Sequence, residues 1–122
     1  MEVYQEILKL DAENIDAINS CAQCLKVTAS SNPSAMKEVF ALYQRAILID
    51  PEDFETNFNL GVLYFEQKKD YDRAIHHLKL AINEEDNATA QFNLAIIYDE
   101  KGNSQEAMKT YQEVSRHPLL FL

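Results

Sequence analysis

Two cysteines, Cys21 and Cys24, have the Cys-x-x-Cys spacing of redox pairs and of half zinc sites. A redox pair of this type lies at the start of a helix after a strand, where the helix dipole lowers the thiol pKa. The apolar spacing around these cysteines instead predicts the middle of a helix. A zinc site needs four ligands, and the chain has no second cysteine pair. We therefore interpret Cys21 as a packing residue and predict no zinc.

Three histidines and an acidic cluster are the other candidate metal ligands. His76 and His77 are adjacent on a predicted helix, so their side chains point about 100° apart and do not easily bind one ion. His117 is far along the chain from both. The cluster at 84–87, Glu-Glu-Asp-Asn, lacks the central glycine and the ligand spacing of a calcium loop. It fits a helix start that the macrodipole stabilises, so we predict neither a metal nor another cofactor.

Signatures of catalysis are not visible in the sequence. There is no nucleophile elbow, no phosphate-binding glycine loop and no recognisable set of Ser, His and Asp. The two glycines are isolated from each other. We therefore predict that the chain is not an enzyme.

The composition indicates a helical, acidic protein. Of 122 residues, 47% are hydrophobic, only 2 are Gly and 3 are Pro, and no run alternates β-branched with polar residues. The formal net charge of −9 repels nucleic-acid phosphates and anionic membrane surfaces, so neither is an expected partner. No apolar run approaches the roughly 18 residues of a membrane span, and MEVYQEILKL lacks the features of a signal peptide. We expect a cytoplasmic location, with the nucleus as the alternative.

Apolar residues with helical spacing run through the whole chain. The predicted helices cover residues 1–10, 15–28, 35–49, 54–67, 71–84, 88–101 and 104–116. Asn32 is a good N-cap, and Pro33 suits a first helical position. Asp70 and Asn103 are placed to cap later helices, and Gly102 suits a helix C-terminus. The sequence thus predicts seven helices, of which the first is incomplete.

One segment recurs along the chain. Phe58 to Phe65 reads FNLGVLYF, and 34 residues later the segment FNLAIIY begins at Phe92. A second helix with a small residue, Ala74 or Ala107, follows each copy. This pattern resembles the tetratricopeptide repeat. The resemblance implies an all-α, right-handed superhelical solenoid of antiparallel helix pairs, which serves as a scaffold for protein partners.

The resemblance divides a single domain, residues 1–122, into repeats. Residues 1–13 end an incomplete repeat, 14–53 form a repeat with an extended loop between its helices, 54–87 and 88–118 form two more, and 119–122 are an apolar tail. The extended loop follows from the 39 residues, instead of 34, between Cys21 and Leu60. The partial first repeat and the apolar tail predict a piece of a longer protein or self-association. The tail residues are Leu119, Leu120, Phe121 and Leu122.

In this family the first helix of each repeat lines a concave face, and the resemblance implies a peptide-binding groove there. Helical spacing gives that groove an apolar floor, an acidic wall and a polar shoulder. The resemblance implies two amides at the positions where family members clamp a peptide. The floor is Phe58, Val62, Phe65, Phe92 and Ile96, and the wall is Glu66, Asp99 and Glu100. The amides at clamp positions are Asn59 and Asn93, and the shoulder is Asn19, Gln23 and Lys26. The expected ligand is a protein or peptide that is apolar and carries Lys or Arg.

Two alternatives stay open at the level of sequence. Phe58 and Phe92 are either groove residues or packing residues between first helices. The chain is either a scaffold that binds a partner or a structural segment that sets spacing in a larger assembly. Family members that hold acidic chaperone tails have Lys at the positions of Asn19 and Phe92, so we predict no receptor of that kind.

Overall fold

The computed structural model describes residues 14–29 and 31–116, a part of the chain that contains six α-helices and no strand. The helices are α1 (Ile15–Thr28), α2 (Pro33–Ile49), α3 (Phe54–Leu63), α4 (Tyr71–Glu84), α5 (Ala88–Lys101) and α6 (Ser104–Ser115). They pack as antiparallel pairs, α1 with α2, α3 with α4 and α5 with α6, and the pairs stack into a right-handed superhelix. The predicted all-α solenoid is thus confirmed. The predicted helix at 1–10 and the tail at 119–122 lie outside the described residues, and the repeat boundaries stay a prediction.

Each of these helices begins after an Asn or Asp whose side chain accepts a hydrogen bond from a backbone N–H of the first turn. These N-caps are Asn14, Asn32, Asp53, Asp70, Asn87 and Asn103. The predicted caps at Asn32, Asp70 and Asn103 are therefore confirmed. Helix α2 begins at Pro33, two residues before the predicted start, because Asn32 caps it and proline has no N–H that needs a partner there.

Small residues let neighbouring helices approach each other closely. Ala22, Gly61 and Ala95 occupy one repeat position, and all three are buried. A Cβ atom at Gly61 would lie 2.8 Å from Cγ of Leu78 and 3.1 Å from the carbonyl oxygen of Ala74. Because glycine lacks that atom, α3 packs directly against α4, and the apolar side chains around this contact are removed from water.

The turn after α3 differs from the turn after α5. Residues Tyr64–Lys68 form a π-helical turn, and Lys69 then adopts the left-handed conformation with φ 49°. Helix α5 ends without such a turn, and Gly102 takes the left-handed position with φ 92°. The next N-cap lies six residues after Tyr64 but only five after its counterpart Tyr98. The π turn accommodates this additional residue, so the prediction of a regular helix as far as residue 67 is wrong.

The insertion between α1 and α2 is accommodated largely by a longer helix. Helix α2 has 17 residues, whereas α4 has 14. Val39 lies seven positions after the N-cap Asn32. Its counterpart Ala74 lies only four positions after the N-cap Asp70. Most of the inserted residues therefore add nearly one turn to the start of α2.

Candidate functional site

The ten residues predicted to line a groove lie on α3, its π-helical extension and α5, and each is at least partly accessible. Glu66, Phe92, Asp99 and Glu100 are exposed, whereas Phe58, Asn59, Val62, Phe65, Asn93 and Ile96 are half-buried. Asn19, expected on the polar shoulder, is instead buried. Its Nδ2 donates to Oγ1 of Thr56 at 2.9 Å and to the carbonyl oxygen of Ile15 at 3.1 Å. The amide joins α1 to α3, so its placement on the shoulder is wrong.

Phe58 and Phe92 have different surroundings. The ring of Phe58 stacks on Phe54, with ring centroids 5.8 Å apart, and packs against the buried core. Phe92 is 45% exposed, and its ring makes an edge contact with Tyr111 of α6 at a centroid distance of 5.8 Å. Phe58 therefore contributes to packing, while Phe92 presents aromatic surface to solvent.

The register between repeats accounts for this difference. Asn19 on α1 contacts Thr56 on α3. In the next pair of helices, Phe58 is the counterpart of Asn19 and Ala90 is the counterpart of Thr56. We therefore infer that α5, on which Ala90 is fully buried, covers Phe58. No helix follows α6 within the described residues, so none there covers Phe92 in the same way.

Lysines from the protein itself neutralise part of the predicted acidic wall. Nζ of Lys26 lies 3.1 Å from Oε1 of Glu66 and joins α1 to the end of α3. Nζ of Lys69 lies 3.6 Å from Oε2 of Glu100 and joins the turn after α3 to α5. Exposed ion pairs of this kind contribute little stability, but they leave Glu66 and Glu100 with less charge for a ligand.

Carboxylates without such a lysine lie at both ends of the face. Asp99, near the end of α5, has no ion-pair partner within the part of the chain that the structure describes. Glu55, at the start of α3, accepts a hydrogen bond from Gln23 at 3.4 Å. Burial raises the pKa of Glu55 above its ordinary value, and repulsion by Asp53 and Asp16 raises it further. A cation bound at this end would relieve that repulsion.

The two amides predicted at clamp positions, Asn59 and Asn93, have different surroundings. Asn93 on α5 is half-buried. Nδ2 of Asn59 is covered by protein and has no hydrogen-bond partner within residues 14–29 and 31–116. An unpaired buried donor costs roughly 1–3 kcal/mol. Because this nitrogen does not reach the surface, Asn59 is not placed to donate to a ligand through it.

Cys21 and His77, one member of each candidate pair, occupy structural positions. Burial, with Cys24 nearby, raises the pKa of the Cys21 thiol and so disfavours the reactive thiolate. Nδ1 of His77 lies 2.9 Å from Oδ1 of Asn57, and burial is the main cause that lowers the pKa of His77 to about 4. Among the described residues, no three His, Cys, Asp or Glu side chains are grouped to hold a metal. His117 lies outside those residues.

Two family models for the tetratricopeptide repeat match the chain, one over residues 42–76 and one over residues 67–117. The two matches together span more than half of the sequence. The chain belongs to the tetratricopeptide repeat family. Stacked repeats of this kind act in general as scaffolds for protein–protein interaction, and the chain is a scaffold in that general sense.

Solved structures are similar in fold. The crystal structure of MamA gives a TM-score of 0.76 at 21% identity, covering 91% of this chain and 62% of that one. TTC0263, a thermophilic tetratricopeptide repeat protein from Thermus thermophilus, gives 0.78 at 16% identity, with 93% and 61% covered. The chain spans about six tenths of the length of these proteins, and at this identity the likeness concerns the fold alone. No curated protein matches the sequence.

None of the six described helices combines the length and the apolar character that crossing a bilayer requires.

Proposed function

We propose that the concave face formed by α1, α3 and α5 binds a partner segment that is apolar and carries Lys or Arg. The observation that carries this proposal is the ring of Phe92, which is 45% exposed on α5. Ile96, four residues later on the same helical face, is half-buried and extends the apolar surface. Aromatic side chains are frequent anchors of interfaces because they bury a large area with few rotatable bonds. An apolar side chain of the ligand packs on this ring.

The charge of the face favours a basic ligand. Asp99 lies seven residues after Phe92, which places both near one helical face. At the other end, a ligand cation relieves the repulsion around Glu55. The formal net charge of −9 also attracts cationic segments from a distance. Because Glu66 and Glu100 are already paired with lysines, charge recognition depends on Glu55 and Asp99.

Titration of the ¹⁵N-labelled chain with two amphipathic peptides of equal length tests this proposal by NMR. One peptide contains Leu and Lys, and the other has Glu in place of every Lys. We expect the Lys peptide to shift the backbone amides around Phe92 on α5, and the Glu peptide to leave them unchanged. Phe92→Ala should lower the affinity for the Lys peptide about tenfold or more.

Met108→Ala is the matched control, because it removes another exposed apolar side chain, 62% accessible, from α6 instead of α5. We expect it to leave the affinity for the Lys peptide unchanged. If Met108→Ala weakens binding as much as Phe92→Ala does, the ligand lies on the end of the solenoid and the concave-face proposal is wrong.

A second candidate function is a structural or self-associating role, which the exposed end formed by α5 and α6 favours. A hollow of about 390 Å³ lies there, lined by Ala107, Met108 and Tyr111 and by the carboxylate of Asp99. In a solenoid, this is the face on which the next helix pair packs. A following repeat or a second copy of the chain would cover it. The predicted role of Leu119, Leu120, Phe121 and Leu122 in self-association concerns residues outside the described part.

Sedimentation velocity separates the two candidates. If the end face pairs two copies, Met108→Glu should convert oligomers into monomers, because the introduced carboxylate would be buried without a partner. A wild-type chain that stays monomeric across the micromolar range excludes self-association as the function. That result leaves the concave-face proposal to its own titration.

A further inference from the structure

A second groove lies between Ala29, Ser31 and Asn32, the first half of α2 and the end of the π-helical turn. Its volume is about 610 Å³. Met36 and Phe40 are almost fully buried beneath it, while Pro33 and Ala41 are exposed at its rim. Its polar side chains include Lys37, Gln44, Gln67 and Lys68. None of the residues assigned to the concave face lines this groove.

The two departures from the regular repeat meet at this groove. On one side is the insertion between α1 and α2, which supplies Ser31, Asn32 and the added turn at the start of α2. On the other side is the π turn of the middle repeat, whose last two residues, Gln67 and Lys68, line the groove. The last repeat has neither the insertion nor the π turn. The groove is therefore a product of this chain's irregularities and not of the repeat itself.

The charge of the groove is opposite to that of the whole chain. Two lysines, Lys37 and Lys68, line it, and no Asp or Glu is among its lining residues. Neither ammonium group has a carboxylate within ion-pair distance in the described ranges. Nζ of Lys68 instead lies 4.6 Å from the centroid of the Phe40 ring. In a chain with a formal charge of −9, this is a local site for negative charge above an apolar floor.

We propose that this groove binds a short extended segment of a partner protein in which a large apolar side chain is flanked by Asp or Glu. Carboxylates of the segment pair with Lys37 and Lys68. A carboxylate that draws the Lys68 ammonium away from Phe40 uncovers the ring, and the apolar side chain of the ligand packs in its place. Gln44 and Gln67 each carry both a donor and an acceptor for the backbone of an extended ligand.

This proposal does not depend on the function proposed for the concave face. The two sites share no residue, and their charges select opposite ligands. A ligand of one site is therefore not expected to compete with a ligand of the other.

The test uses two eight-residue peptides with capped ends. One has a central Leu-Phe pair and acidic flanks of Glu, and its twin has Lys in place of each Glu. Each peptide is titrated into the ¹⁵N-labelled full chain and followed by NMR. We expect the acidic peptide to shift the backbone amides of Lys37, Ala41, Gln67 and Lys68, and the basic twin to leave them unchanged. An acidic peptide that shifts none of these amides at about 1 mM, a concentration that detects even weak binding, overturns the proposal.

Two substitutions with a matched control define the site. Lys68→Glu should lower the affinity for the acidic peptide about tenfold or more, because it replaces an attraction by a repulsion. Lys109→Glu makes the same change of charge on an exposed lysine of α6 and should alter the affinity less than twofold. Ala41→Trp should fill the groove from its exposed rim and block binding without changing the core. Circular dichroism melting curves verify that each variant is folded.

Three outcomes would contradict the proposal. Equal weakening by Lys68→Glu and Lys109→Glu would mean that net charge, and not the groove, governs binding. An unchanged affinity in Ala41→Trp would place the peptide elsewhere. Shifts of the groove amides that depend on protein concentration alone would make a second copy of the chain the occupant.

Discussion

The middle repeat, formed by α3 and α4, and the last described repeat, formed by α5 and α6, share a sequence pattern but have different environments. Phe58 and Phe92 are counterparts 34 residues apart, yet Phe58 packs against the core and Phe92 is 45% exposed. A helix pair lies on each side of the middle repeat, whereas within the described residues the last repeat has one on only one side. A position in the repeat therefore does not by itself define a binding residue, because the neighbouring pair decides whether it is covered.

The turns that connect the two helices of each repeat also differ. Lys69 adopts φ 49°, a left-handed conformation that costs a residue with a Cβ atom roughly 1–2 kcal/mol, and Gly102 adopts φ 92° with no such cost. Lys69 gains contacts that Gly102 does not have. Its ammonium pairs with Glu100 and lies 4.3 Å from the centroid of the Phe65 ring. The middle repeat is thus connected to the next helix pair through its turn as well as through its core.

Replacing the two aromatic counterparts separately is the strongest test of this comparison. We expect Phe58→Ala to lower the free energy of unfolding by about 3 kcal/mol, the lower end for a buried phenylalanine, because the side chain is only half-buried. Phe92→Ala should lower it by less than about 1 kcal/mol. Urea denaturation of the two variants measures both values. Equal losses would contradict the difference in environment between the repeats.

The small-residue position gives a second contrast, of intermediate size. Gly61→Ala places a Cβ atom 2.8 Å from the fully buried Leu78 side chain, and we expect a net loss of about 2 kcal/mol despite the better helix propensity of alanine. Ala95→Gly should lose about 1 kcal/mol because glycine is a poorer helix former. Chemical denaturation measures both. A stabilised Gly61→Ala variant would show that α3 and α4 have room to separate.

The turns should respond to substitution in opposite directions. Gly102→Ala should lower stability by about 1 kcal/mol, because φ 92° disfavours a side chain. Lys69→Gly should raise stability by about 0.5 kcal/mol, since relief of the left-handed lysine outweighs the loss of an exposed ion pair and of the contact with the Phe65 ring. Thermal melting of the two variants is the measurement. A destabilised Lys69→Gly would mean that the contacts of the lysine outweigh the strain of its backbone.

The smallest expected effect is the dependence of stability on pH that His77 causes. It is confined to the middle repeat, because the counterpart of His77 in the last repeat is Thr110, which does not titrate. The folded pKa of His77 is about 4, below the ordinary value of 6.5. The unfolded chain therefore binds the proton more readily, so stability is lost as pH falls from about 6.5 towards 4. We expect less than about 1 kcal/mol, since solvent screens the half-buried ring.

Unfolding curves across this pH window compare His77→Gln with the matched control His76→Gln, which changes an exposed histidine. His77→Gln should flatten the dependence on pH, whereas His76→Gln should preserve most of it, because burial is a larger cause of the lowered His77 pKa than the charge of His76. A wild-type slope in both variants would assign the dependence to the carboxylates.

Local interactions let the sequence determine much of this fold. Helix starts were predictable at Asn32, Asp70 and Asn103, because a capping side chain bonds to the backbone only two or three residues away. The 34-residue period and the small residues at Ala74 and Ala107 predicted the stacking of helix pairs, since close approach needs small side chains wherever the helices touch.

The tertiary structure alone decided which of these residues are accessible and what they contact. Phe58 and Phe92 each begin a Phe-Asn-Leu segment, so the repeated motif does not distinguish them, whereas the residues packed around each ring do. Lys26 reaches Glu66 across 40 residues, a pairing that no helical spacing predicts. The insertion before α2 and the extra residue before Lys69 are separate events in the sequence. The residues of these two segments line one groove only because superhelical stacking brings the start of α2 beside the end of the π turn.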